Sequence, residues 1–98
     1  MDKDGYPDKD ELEKIKSWNW KDGEGLLEYV AGLWHWDNYA WKEDDGRWYF
    51  ATGGWSGNED LIYAMQENHI WWSLHWYSST RGGKYVFQLT DRELKEEE

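Results

Sequence analysis

Apolar positions recur at three-to-four spacing in two places along this 98-residue chain. Leu26, Leu27, Val30, Leu33 and Trp34 lay one stripe along a helix over 24–34, with Asp22 placed to cap it. Gly25 and Gly32 weaken that helix by about 1 kcal/mol each relative to alanine, so packing must hold it. Leu61, Ile62, Met65 and Ala64 form the buried face of a second helix over 58–67, and Asn68 suits its end. Period-two alternation appears over 69–79, where Ile70, Trp72, Leu74 and Trp76 fall on one face of an expected strand as core. Trp71, Ser73, His75, Tyr77 and Ser79 fall on the other, a mixture of rings and hydrogen-bonding groups suited to a ligand. Residues 47–52 read as an aromatic strand, and 84–90 as a return strand with Tyr85, Phe87 and Leu89 on one face.

Punctuation separates these elements. Lys42-Glu43-Asp44-Asp45-Gly46 ends on an Asp-Gly pair that favours positive φ, and Thr80-Arg81-Gly82-Gly83 is a hairpin signal. Residues 35–41, aromatic and polar together, either prolong the first helix or fold back as a short strand. Glu11 to Ile15 can form one helical turn; residues 1–10 read as a loose arm, and 91–98 as a charged tail. The order helix–strand–helix–strand–strand predicts one α+β domain. In it a small antiparallel sheet of three or more strands is covered on one face by two or three helices.

The chain is organised around Gly53-Gly54-Trp55-Ser56-Gly57-Asn58-Glu59-Asp60. Ser56 and Glu59 have capping-box spacing, and Asn58 competes as the N-cap. A glycine-rich turn opening onto a helix N-terminus also offers free N–H groups to an anion. Alternatively it is a tight, well-capped strand-to-helix turn.

Composition narrows the function classes. Ten Trp, seven Tyr and two Phe exceed what a core of this size requires, so some rings lie at the surface, where large apolar area marks binding sites. The same excess points to a homo-oligomer. A formal charge of −10 argues against general binding to nucleic-acid backbones. No cysteine is present, which removes disulfides and thiolate chemistry. Without an apolar run of about 18 residues or a signal-peptide pattern, the expectation is a protein of the cytoplasm with no membrane partner.

Three candidate chemistries follow. In the first, Trp55, Trp71, Tyr77 and one of Trp36 or Trp41 stack on a nucleotide base, worth about 1–3 kcal/mol per stacked base. Ser56, Asn58, Ser73 and His75 add hydrogen-bonding contacts, and Arg81 and Lys84 hold phosphate together with the two Gly-Gly turns. Antiparallel order leaves open whether those turns share one end of the sheet. The bland counterpart is core rings and a solvated Arg81. In the second, Asp10, Glu11, Glu13, Glu43, Asp44, Asp45, Glu59 and Asp60 present carboxylates to the basic groove of a protein partner, against the plainer reading of a solvated face. Catalysis is the weakest reading. His35, His69 and His75 match no metal spacing, although His35 and Asp37 sit close in sequence. Ser73 with His75 shows neither an orienting acid nor an oxyanion hole. The expectation is therefore no enzyme, no cofactor and no metal.

The string 53–60, Trp72-Ser73-Leu74-His75-Trp76 and Arg81-Gly82-Gly83-Lys84-Tyr85-Val86-Phe87 together resemble a family of small phage-encoded proteins, over roughly residues 15–89. That resemblance implies an anti-defence context. Proteins of this type sequester nucleotide second messengers, or block host defence proteins such as CRISPR or other nucleases. It supplies no catalytic residue, and analogy of this kind does not carry function by itself.

Overall fold

The computed structural model describes residues 5–89. Helix α1 (Lys9–Lys16) starts at a capping box in which Asp8 accepts from the Glu11 N–H and Glu11 accepts from the Asp8 N–H, both at 2.9 Å. The Glu11 N–H holds the Asp8 carboxyl below the usual carboxylate range. Helix α2 (Gly23–Leu33) is capped by Asp22, which accepts from the Gly25 N–H at 2.9 Å. A 3-10 turn (Asp37–Tyr39) leads to strand β1 (Ala40–Lys42), and the acidic turn joins β1 to β2 (Trp48–Ala51) with Gly46 at φ +88°. The stretch 35–41 is thus neither a prolonged helix nor wholly a strand. Helix α3 (Ser56–Glu67), helix α4 (His69–His75), strand β3 (Trp76–Thr80) and strand β4 (Lys84–Phe87) complete the elements among the described residues.

The sheet order is β1-β2-β4-β3, antiparallel throughout. Its inner face carries Trp48, Phe50, Tyr85 and Phe87, and the helices pack there. Trp34, the C-cap of α2, meets Phe50 edge-on at 5.0 Å, and Trp71 and Trp72 of α4 meet Phe87 at 5.7 and 5.4 Å. Ile15, Leu26, Leu27, Val30, Leu61, Ile62 and Met65 close the core, each at most 1% exposed. Burial of each such side chain contributes about 1.5–3 kcal/mol. The ion pair Lys16–Glu67, at 3.1 Å, ties α1 to α3, and that carboxylate raises the Lys16 ammonium above its ordinary range.

Three expectations are corrected. The strand over 69–79 is a helix up to His75 and a strand only from Trp76. Ile70, assigned to the core, is 58% exposed and Trp76 is 41% exposed, whereas Trp71 and His75, assigned to a ligand face, are fully buried. The cause is a coincidence of periods: in a strand and in a helix alike, residues four apart share a face, so 70/74 and 72/76 fit both. Packing against Phe87 and the Asp22 turn selects the helix, with the Trp71 indole donating to the Asp22 carbonyl at 3.2 Å. The second correction concerns α3, which begins at Ser56 with Trp55 as N-cap and no side-chain cap. Neither Ser56 nor Asn58 caps it: the Ser56 hydroxyl lies 3.1 Å from that of Tyr6, and the Asn58 amide is engaged elsewhere. Third, part of the loose arm expected over 1–10 packs and folds, since Tyr6 lies on Trp55 and α1 starts at Lys9. Residues 1–4 and the tail over 91–98 lie outside the described residues.

Candidate functional site

Alternation along β2 sends Trp48 and Phe50 inward, so Tyr49 and Ala51 face outward. Register then aligns Trp41, Tyr49, Val86 and Ser78 in one row across all four strands of the outer face. The Trp41 and Tyr49 rings stack at 5.4 Å and 9°. Lys84 Nζ lies 5.5 Å from the Tyr49 ring, and on β3 the Tyr77 ring carries the Arg47 guanidinium at 4.2 Å. Trp41 is 36% and Tyr77 49% exposed, although Val86 at the centre is 7% exposed. This outer surface interleaves exposed rings with Lys84 and Arg47, and carboxylates border it, with Glu43 accepting from the Trp41 indole N–H at 2.8 Å and Asp45 4.0 Å from Arg47.

A second aromatic group borders one end of the sheet. Trp55 stacks on His35 at 4.2 Å and 22°, with Tyr6 at 4.6 Å from Trp55. Trp36 lies 4.7 Å from His35 and 5.5 Å from Tyr39. The backbone here is unusual: Trp36 has φ +64°, and Gly53 and Gly54 have φ +65° and +76°. A Cβ on Gly53 would stand 2.6 Å from Trp36 Cζ3. Gly53→Ala is expected to destabilise by about 2 kcal/mol, combining the left-handed penalty with displacement of the Trp36 ring. Denaturant unfolding with near-ultraviolet circular dichroism checks it; an unchanged midpoint would refute the role of this close approach.

The two Gly-Gly turns share one end of the sheet. The Thr52 N–H donates to the Gly83 carbonyl at 3.0 Å, and Gly83 lies against the Thr52 side chain.

The nine sequence-selected residues do not form one pocket. Trp71 and His75 belong to the core, where the His75 imidazole Nε2 is 3.0 Å from the Trp20 carbonyl. Asn58 is fully buried and structural: its Oδ1 accepts from the His35 N–H at 2.9 Å, and its Nδ2 donates to the His35 and Thr52 carbonyls at 3.1 and 3.2 Å. Ser73 is exposed on α4, in the layer against the inner face. Trp55 and Ser56 join the aromatic group at the double-glycine turn. Tyr77 and Lys84 remain on the outer face, with Arg81 exposed in the adjoining hairpin turn. Tyr49 and Arg47 were not selected, although alternation through 47–52 would have put them on one face.

Among the described residues no three His, Cys, Asp or Glu side chains gather as metal ligands. No helix among them is long and apolar enough to cross a membrane. The fold and surface define a small α+β domain with an aromatic, cation-flanked sheet face. Comparison with protein-family models, curated proteins and solved structures gives no match.

Proposed function

We propose that this protein is a non-enzymatic binding protein that takes a small nucleotide on the outer face of its sheet. The observation that carries the reading is the row Trp41–Tyr49–Val86–Ser78, with Lys84 near the Tyr49 ring and Arg47 over the neighbouring Tyr77. A base stacks on the exposed rings, while Lys84, Arg47 and the nearby Arg81 meet phosphate oxygens. The net charge of −10 opposes a long phosphodiester backbone through summed repulsion, but a ligand with one to a few phosphates feels mainly the local cations. The resemblance to small phage proteins supplies the context: sequestration of a nucleotide second messenger in the host cytoplasm.

The test is a thermal-shift and calorimetric screen against mononucleotides and cyclic oligonucleotides. A ligand at 100 times its Kd adds about 2.7 kcal/mol of stability. Trp41→Ala removes one stacking platform, which predicts a loss of about 1–3 kcal/mol in binding, roughly five- to 150-fold in Kd. Lys84→Gln should weaken binding in a salt-dependent way, and Trp55→Ala should leave it unchanged. Binding unaffected by Trp41→Ala and Lys84→Gln would reject the outer face as the site. If no nucleotide binds, the favoured reading becomes an acidic inhibitor of a host defence protein, presenting the exposed Glu43-Asp44-Asp45 turn.

A further inference from the structure

Antiparallel sheets end in strands whose outer N–H and C=O groups are open to another chain, and soluble proteins blunt such edges with charge, brevity or cover. Among the described residues the two edge strands are β1 and β3, and they differ. Strand β1 is three residues long, carries Lys42 bound to Glu24 at 2.9 Å, and runs into Glu43-Asp44-Asp45. That edge offers only three residues for pairing before the acidic run begins. Strand β3 is five residues long, reads Trp-Tyr-Ser-Ser-Thr, and is exposed at four of its five positions. It closes the longest stretch of the chain without Asp, Glu, Lys or Arg, from Asn68 to Thr80, in a protein that is 33% charged. Exposed apolar side chains accompany it, with Trp76 at 41%, Tyr77 at 49% and Ile70, on the preceding helix, at 58%.

We infer that β3 is a homodimerisation edge, at which two copies pair β3 to β3 across a two-fold axis into one eight-stranded sheet. A two-fold relating a strand to its own copy makes the pair antiparallel, the geometry the rest of the sheet already uses. Charge selects a second copy as the occupant. With net charge −10, self-association through most of the surface is repulsive, and β3 is the edge where two copies meet without opposing carboxylates. The irregularity between Trp76 and Ser78 leaves 78–80 as the regular segment for pairing. Dimerisation also makes the two outer faces continuous, with Tyr77 of each copy beside the seam. This inference stands whether or not that face takes a nucleotide.

Sedimentation equilibrium of the full chain, from about 1 µM to about 1 mM, tests it. The expected species is a dimer of twice the 11.9 kDa chain mass. Thr80→Glu sets like charges diagonally across the two-fold and should raise the dimer Kd about tenfold or more. Lys42→Glu, on the other edge, should leave the dimer intact. Hydrogen exchange on the unmodified protein gives an independent readout, because β3 amides facing the seam gain protection as concentration rises. A monomer across the whole range overturns the inference. So does a dimer whose β3 amides show no concentration-dependent protection, or one indifferent to Thr80→Glu.

Discussion

Trp71→Ala is expected to destabilise the protein by about 3–5 kcal/mol, the range for truncating a large buried aromatic. The indole is fully buried against Phe87 and His75, and its N–H satisfies the Asp22 carbonyl just before α2. Truncation therefore opens a cavity and strands a carbonyl in one step. In a small domain of about 5–15 kcal/mol total stability, that loss approaches global unfolding. The neighbouring Ile70→Ala is the internal control: with its side chain 58% exposed, its effect should stay within about 0.5 kcal/mol. Urea unfolding followed by far-ultraviolet circular dichroism measures both. A costly Ile70→Ala with a silent Trp71→Ala would mean that residues 69–75 form a strand, and would reject α4.

Asn58→Ala is expected to cost about 3 kcal/mol, more than the loss of a helix cap. The side chain is fully buried and bridges the backbone at His35, which follows α2, to Thr52, which follows β2. Removing it takes the partner from the His35 N–H and the His35 carbonyl, at about 1–3 kcal/mol for each group left unsatisfied in the interior, while the Thr52 carbonyl keeps the Trp55 N–H at 3.1 Å. Asn58→Asp sharpens the test, since a carboxylate still accepts from His35 N–H but cannot donate to either carbonyl. Both variants should lower the unfolding midpoint and disturb the near-ultraviolet signal of the Trp55–His35–Trp36 stack. If Asn58→Asp matched the parent protein in stability, the amide bridge would not be the role of this residue.

The legible elements owe their legibility to local causes. Asp22 caps α2 because its carboxylate reaches an N–H three residues on, and the Asp45-Gly46 turn needs only the positive φ that glycine allows. The buried face of α3 follows from periodicity, and Leu61, Ile62, Ala64 and Met65 are all buried. The candidate surface was less legible. Tyr77 and Lys84 lie on it, but Trp71 and His75 were drawn towards a ligand face by alternation that a helix satisfies equally well at every fourth residue. Tyr49 and Trp41 become one platform only through the register of β1 on β2, which depends on two strands and the turn between them.

By itself the sequence determined the helix-capping aspartate at 22, both hairpin turns, the apolar faces of α2 and α3, and an α+β class, all matters of spacing and backbone preference. Tertiary structure alone decided that residues 69–75 are helical, that Asn58 bridges rather than caps, and that the two double-glycine turns lie at one end of the sheet, joined through Thr52 and Gly83. In each of those cases the deciding partner lies far away in the chain: Trp71 answers to Asp22, Asn58 to His35, and Thr52 to Gly83. Local periodicity carries no information about such partners, because it is their burial together, and not their spacing, that sets the energy.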